Sequence, residues 1–274
     1  MLGAIIGDIV GSIYEFDNIK TKNFNLFSNE MFFTDDTVMT IATAEAIMEG
    51  GKPRYFAQYM KLYGYFYLNI GYGSSFAKWI ISKESKPYNS WGNGSAMRVS
   101  PCGWVAKLNI DIEEGLKLTK DLAKKSAEVT HNHPEGIKGA QATATSIFLM
   151  RHGKSKNAIK EYKKILKDYI EKEYQYDLNF TLNEIRPSYA FNESCQETVP
   201  QAIVSFLESD SFEDAIRNAI SLGGDSDTLA AITGSIAEAA YVIPENIKKK
   251  SFDYLNEPIK ELYNKWTNYI NSIH

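Results

Sequence analysis

Cysteine is nearly missing: the 274 residues hold two, Cys102 and Cys195. Their spacing suits neither a zinc site nor a disulfide framework, so the chain reads as a cytoplasmic protein with free thiols. A basic excess is also lacking, since 30 Lys and Arg stand against 34 Asp and Glu for a net charge of −4. A general nucleic-acid binder needs a basic face to neutralise phosphates, so that class is set aside and any anionic ligand must be held locally. Long apolar runs are absent too. The stretch MLGAIIGDIVGSIYEF is broken by Asp8 and has no basic n-region. It also falls short of the ~18 residues of a spanning helix, so neither a signal peptide nor a membrane anchor is expected. Alternating runs of Val, Ile and Thr hardly occur, so strands should be few. No low-complexity linker and no fixed-period repeat interrupts the sequence, and a single domain over residues 1–274 is expected.

What remains is an ordinary globular composition, 44% hydrophobic and 23% charged, with helical periodicity throughout. Gly3, Gly7 and Gly11 recur every four residues and line one helix face that another backbone can approach closely. Residues 37–48 carry Val38, Ile41, Ala42, Ala44 and Ile47 as a core face and stop at Gly50 and Gly51. Residues 54–68 are aromatic at helical spacing, and a Gly-rich loop, NIGYGSS, follows. Further helices are expected at 112–130, from Pro134 through GIKGAQATATSIFLM, and at 155–173 as a Lys-rich solvated face. Others are expected at 199–207, 212–221, 228–242 and 247–273. Residues 174–197 are the least regular part, rich in Tyr and Asn, and read as a short excursion or lid.

Charge sits where a buried helix should not carry it. SLGGDSDTLAAITG puts Asp225, Asp227 and Thr228 at the head of a small-residue helix, and FFTDDTVMT repeats the arrangement with Thr34, Asp35 and Asp36. An isolated Asp at such a place is ordinarily an N-cap, but one cap needs only one carboxylate. Were the two starts to converge, each pair of carboxylates ~4 Å apart would repel by about 4 kcal/mol at an effective dielectric of ~20. Raised pKa values or bound cations relieve such crowding, and two divalent ions balance four aspartates. A donor set made only of oxygen favours Mg²⁺ or Mn²⁺ over zinc.

Three further features invite a ligand reading beside a plainer one. In NSWGNGSAMRVSP, Gly92 and Gly94 flank Asn93, which suits either a main-chain cradle for phosphate or a simple tight turn. Trp91 beside it suits stacking on a base or packing in the core. In THNHP, His131 and His133 have no third nitrogen or sulfur ligand nearby, so ligand hydrogen bonding or helix capping is expected in place of zinc. Glu15, in SIYEF, is a carboxylate in an apolar neighbourhood, either a helix end or a general acid tuned by burial.

Taken in order, the motifs resemble those of the ADP-ribosylglycohydrolases, the family that includes the dinitrogenase-reductase-activating glycohydrolases. The matching stretches are G-D-x-x-G-S at 7–12 with Glu15, T-D-D at 34–36, S-W-G-N-G-S-A-M-R at 90–98, T-H at 130–131 and G-G-D-S-D-T at 223–228. The resemblance implies an all-α fold, a compact single-domain orthogonal helical bundle with a metal cleft. It implies two Mg²⁺ (or Mn²⁺) ions held by Thr34, Asp35, Asp36, Asp225, Asp227 and Thr228. It places Ser90, Trp91, Gly92, Asn93, Gly94 and His131 at the phosphates, ribose and adenine, and Glu15 near the glycosidic bond as a mobile glutamate. The expected reaction is metal-assisted hydrolysis of the bond between ADP-ribose and a modified protein or small molecule, with Glu15, Asp35 or Asp227 moving the proton. Competing readings are an ADP-ribose-binding module without chemistry, a crystallin-like structural relative, and a dinuclear phosphoesterase that would release AMP.

Overall fold

Fifteen helices and no strands make up the protein, whose computed structural model describes all 274 residues. The nearest approach to a sheet is one isolated antiparallel bridge between Gly92 and Ser194. No helix is long and apolar enough to cross a membrane. The all-α, single compact domain agrees with the sequence expectation.

The core is organised around α1 (Leu2–Gly11) and α13 (Ser226–Ala240). Every residue of α1 is buried, Asp8 included. A Cβ added at Gly3 would lie 2.1 Å from the Gly234 carbonyl oxygen, one at Gly7 2.0 Å from that of Ala230, and one at Gly11 2.3 Å from the Asp227 Cα. No side chain fits between these backbones, so the glycine face does what its spacing predicts and brings the two helices into main-chain contact. The same contact delivers the end of α1 to the beginning of α13. Around this pair pack α8 (Pro134–Ser155), α11 (Cys195–Leu207), α12 (Phe212–Leu222) and α2 (Asp35–Met48).

Local chemistry fixes the helix starts. Thr34 caps α2, its Oγ1 accepting from the Asp36 N–H at 3.3 Å. Asp35 and Asp36 then occupy the first turn, where the helix dipole favours negative charge. His133 caps α8 through Nδ1, with Pro134 in the first turn. Glycines 223 and 224, at φ of 68° and 74°, make the left-handed turn into α13.

Several boundaries differ from expectation. The single helix expected over 247–273 is two, α14 (Glu245–Phe252) and α15 (Glu257–Ile273). Asn256 caps α15 through the Ile259 N–H, with Pro258 in its first turn. The expected helix at 199 begins four residues earlier, at Cys195, with Pro200 still in its opening turns. Two short helices, α4 (Ser74–Ile81) and α6 (Cys102–Val105), were not expected, and the 174–197 excursion contains one turn, α10 (Leu182–Ile185). Cys102 and Cys195 are both free and buried.

Candidate active site and acidic cluster

The starts of α2 and α13 meet. The Thr228 hydroxyl donates to Asp36 Oδ1 at 3.2 Å, and the Thr34 hydroxyl lies 3.4 Å from Asp227 Oδ2. One carboxylate oxygen from each of Glu15, Asp225 and Asp227 falls within 4.8 Å of the others. Asp35 and Asp36 are not in that tight triplet but line the same cleft, a cavity of about 250 Å³. All six threonine and aspartate positions expected to bind metal are therefore at one place, with Thr34 just behind the lining.

Asp8 lies beneath this cluster, fully buried. It accepts from the Thr34 N–H at 3.0 Å and Oγ1 at 2.7 Å, from the Thr37 N–H at 3.0 Å, and from the Thr37 hydroxyl. Four donors satisfy it, so it acts as a brace between α1 and the first turn of α2. Burial and then the Asp227 charge still push its carboxyl up to about 7, against the hydrogen bonds from Thr37 and Thr34.

Crowding governs the rest of the cluster. Asp35, Asp36 and Asp225 are all raised well above the ordinary carboxylate range, first by burial and then by Asp227. Glu15, half-buried, is pushed up to about 8 by burial, Asp227, Asp8 and Glu193 in that order. No protein cation pairs with them: Arg98, the one cationic side chain lining the cleft, feels the Asp35 charge without bonding it, and its buried guanidinium donates through Nη2 to the Ser126 carbonyl and the Thr130 hydroxyl. Asp36 Oδ2 is buried with no partner at all, a costly state for a carboxylate oxygen.

The opposite wall is the glycine loop. Thr130 accepts from Arg98 at 2.8 Å, and the acceptor available to its own hydroxyl proton is His131 Nδ1, also at 2.8 Å. Burial and the Arg98 charge hold His131 well below its usual value, so the ring is neutral. With Nδ1 accepting, Nε2 carries the proton. That N–H lies beside Gly94, where an added Cβ would sit 3.3 Å from it, so glycine keeps the donor open to the cleft.

Two side chains of this loop have protein neighbours as well. The Asn93 side chain donates to Asp225 Oδ2 at 2.7 Å and Thr198 Oγ1 at 3.2 Å, so its amide supports the acidic cluster. Trp91 is 54% exposed and lines an adjoining depression with Tyr88, Asn192 and Glu193, its ring 5.5 Å from that of His133. It is therefore not a packed core tryptophan.

A family model for ADP-ribosylglycohydrolase matches residues 1–270. The chain belongs to the ADP-ribosylglycohydrolase family. It is 27% identical to an uncharacterised protein of Archaeoglobus fulgidus, across 96% of its own length and 94% of the relative's. It is 24% identical to ADP-ribosylhydrolase ARH3 of Homo sapiens across 93% and 88% of the two chains. It is 25% identical to ADP-ribosylarginine hydrolase Tri1 of Pseudomonas putida across 97% and 77%. A solved structure described as an ADP-ribosylglycohydrolase-related protein complex shares the fold, with a TM-score of 0.67 at 22% identity, covering 95% of this chain and 93% of that one. Family membership supports hydrolysis of ADP-ribose linkages.

The site also includes residues that sequence reasoning did not single out. Asn18 clamps the turn before α13, donating to the Gly224 carbonyl at 2.9 Å and accepting from the Gly224 N–H at 2.7 Å. The same amide donates to the carbonyls of Tyr14 and Glu15 at 2.6 and 3.0 Å. It thereby ties the main chain of Glu15 to the aspartate turn, a link carried by one polar side chain and invisible to periodicity. Glu193 enters through the irregular segment, whose main chain zips onto the glycine loop by Asn93 N–H to Glu193 O at 2.7 Å and Cys195 N–H to Trp91 O at 3.0 Å.

Proposed function

We propose that the protein is a metal-dependent hydrolase that cleaves the glycosidic bond between ADP-ribose and a modified side chain or small molecule, releasing ADP-ribose. The observation that carries this reading is the junction of two threonine–aspartate helix starts in one cleft, separated by 192 residues at Thr228 and Asp36.

The donor set fits a pair of divalent cations. Four aspartates crowd the cleft, Asp36 Oδ2 lacks any partner, and the one lining arginine is engaged elsewhere. Thr34, Asp35, Asp36, Asp225, Asp227 and Thr228 would hold Mg²⁺ or Mn²⁺ through hard oxygen donors. When bound, such a pair supplies a Lewis-acid hold on ribose hydroxyls and lowers the pKa of a bound water.

The chain's own groups perform the remaining tasks. The His131 Nε2–H and the main chain of Ser90, Gly92 and Gly94 hold the phosphates and neighbouring ribose, with Trp91 on the adenine side. The aspartates set a negative field that favours the oxocarbenium-like transition state. Glu15 moves the proton at the scissile bond: its side chain has no hydrogen-bond partner, it lies half-buried beside Asp225 and Asp227, and its raised pKa suits proton transfer near neutrality. Asp35 and Asp227 are the alternative proton carriers.

The free, buried thiols fit a reducing cytoplasm.

The test is ADP-ribose release from arginine-linked, serine-linked and small-molecule substrates, with chelator and with Mg²⁺ or Mn²⁺ restored. We expect release from at least one of these substrates, silenced by chelator, restored by metal, and lost in Asp35→Asn and Asp227→Asn proteins that remain folded. AMP as the product identifies a phosphoesterase. Tight ADP-ribose binding without turnover identifies a binding module, and turnover that persists in chelator removes the metal from the mechanism.

A further inference from the structure

A second cavity, of about 530 Å³, lies away from the cleft, between α6, the end of α8 and the end of α15. Its lining includes Lys107, Arg151, Lys154 and His274, together with Trp104 and Ile270, and no acidic side chain. In a chain of net charge −4 such a grouping is not a sample of the average surface. Helix α8 separates the two sites: the cleft is at its Pro134 end and this cavity at its Arg151 end, about 25 Å apart at 1.5 Å per residue.

Arg151 is the unusual member. Its residue is 6% exposed, yet it forms no salt bridge, and burial pulls its guanidinium down to about 10, still charged at neutral pH. Nη1 donates to the Gly103 and Ala106 carbonyls at 2.9 and 3.0 Å. Nη2 faces His274 Nε2 at 3.0 Å, and that nitrogen also lies 2.8 Å from the Trp104 carbonyl. A neutral imidazole nitrogen carries a proton or a lone pair, never both. If Nε2 donates to the carbonyl, Nη2 has no acceptor there. A buried cation without a countercharge is expensive, and the Trp104 indole N–H beside it is likewise buried without a partner.

We propose that this cavity binds a small phosphate-bearing anion of pyrophosphate type, held by Arg151, Lys107 and Lys154. Charge selects phosphate over carboxylate. The three cations leave a net excess beside a single carboxylate, whereas two linked phosphates come close to matching them. Arg151 offers its Nη2 donor, left without an acceptor when His274 Nε2 donates to Trp104, to a phosphate oxygen, and the two lysines, both exposed, supply mobile charges at the mouth. Lys154 already reaches the Tyr241 carbonyl at 2.8 Å and feels the Glu238 charge without forming a salt bridge to it, so it is positioned at the rim.

The test uses the full-length, metal-loaded protein and indole N–H resonances, with Trp104 reporting on the cavity and Trp91 on the cleft. Inorganic pyrophosphate should shift the Trp104 resonance saturably, and a Lys107→Gln/Lys154→Gln double variant should weaken that titration by about tenfold or more while leaving ADP-ribose release unchanged. An ADP titration then defines the ligand: equal affinity makes the phosphates the whole of it, and tighter binding adds a nucleoside. A Trp104 resonance that stays still to about 10 mM pyrophosphate, or a shift that the double variant does not weaken, overturns the proposal. Movement at Trp91 alone assigns the anion to the cleft and overturns it equally.

Discussion

Replacing Asp227 by asparagine should stabilise the metal-free protein and reduce the stabilisation that metal confers. Oxygens of Asp225 and Asp227 lie within 4.8 Å, both residues are about nineteen-twentieths buried, and at an effective dielectric of ~20 that separation costs about 3.5 kcal/mol when both are ionised. Partial protonation of Asp225, whose pKa is raised, already relieves some of this, so the metal-free variant should gain about 2 kcal/mol. For 274 residues the unfolding entropy is roughly 0.6 kcal/mol/K, which makes that gain a rise of about 3–4 °C in melting temperature. Asparagine keeps an oxygen where Asp227 Oδ1 accepts from the Thr228 N–H at 2.9 Å, so local structure should persist. With metal at 100 times its dissociation constant the wild type gains about 2.7 kcal/mol for one site, or roughly 5 °C. The variant should gain less than half of that. Calorimetry in chelator and in Mg²⁺ or Mn²⁺ reads both numbers. A metal-free Asp227→Asn protein that melts at or below the wild type, or equal metal gains in the two, would refute the electrostatic account.

Other outcomes follow from the same geometry. In chelator, Asp8 at about 7 and the raised Asp35, Asp36 and Asp225 bind protons more tightly folded than unfolded, so melting temperature should rise as pH falls from about 7 toward 5. Saturating metal should flatten that trend, and a pH titration by scanning calorimetry checks it. Gly7→Ala places a Cβ 2.0 Å from the Ala230 carbonyl oxygen, so a loss of about 3 kcal/mol or more is expected, seen as a lowered denaturation midpoint. Asn18→Ala frees the Glu15 main chain from the aspartate turn; kcat should fall about tenfold while KM changes little, and the unpaired Gly224 N–H should lower the melting temperature by about 2–5 °C.

Much of the fold was legible because period and composition carried it. The glycines at 3, 7 and 11 announced a backbone contact, and the paired T-D-D and D-S-D-T starts announced a junction because buried charge needs a partner. The split at Asn256 was missed because apolar spacing continues across it, although Asn256 and Pro258 are themselves start signals. Helix α4 was hidden behind NIGYGSS, where glycine content argued for loop while Phe76, Trp79 and Ile80 supplied the buried face. Within the site, carboxylates could be identified by type but not by duty. Asp8 and Asn93 turn out to serve other side chains, and only hydrogen-bond partners reveal that.

The pairing of α1 with α13 has a consequence for how the molecule is made. At about 5–20 residues per second, the 216 positions between Gly11 and Asp227 take on the order of 10–40 s to synthesise. Throughout that interval the first helix, a segment buried along its entire length in the finished protein, lacks the partner that covers its glycine face. No truncated product lacking the later helix can assemble the cleft, so the cleft forms only after α13 has been made, and the glycine face of α1 depends on transient shelter until then.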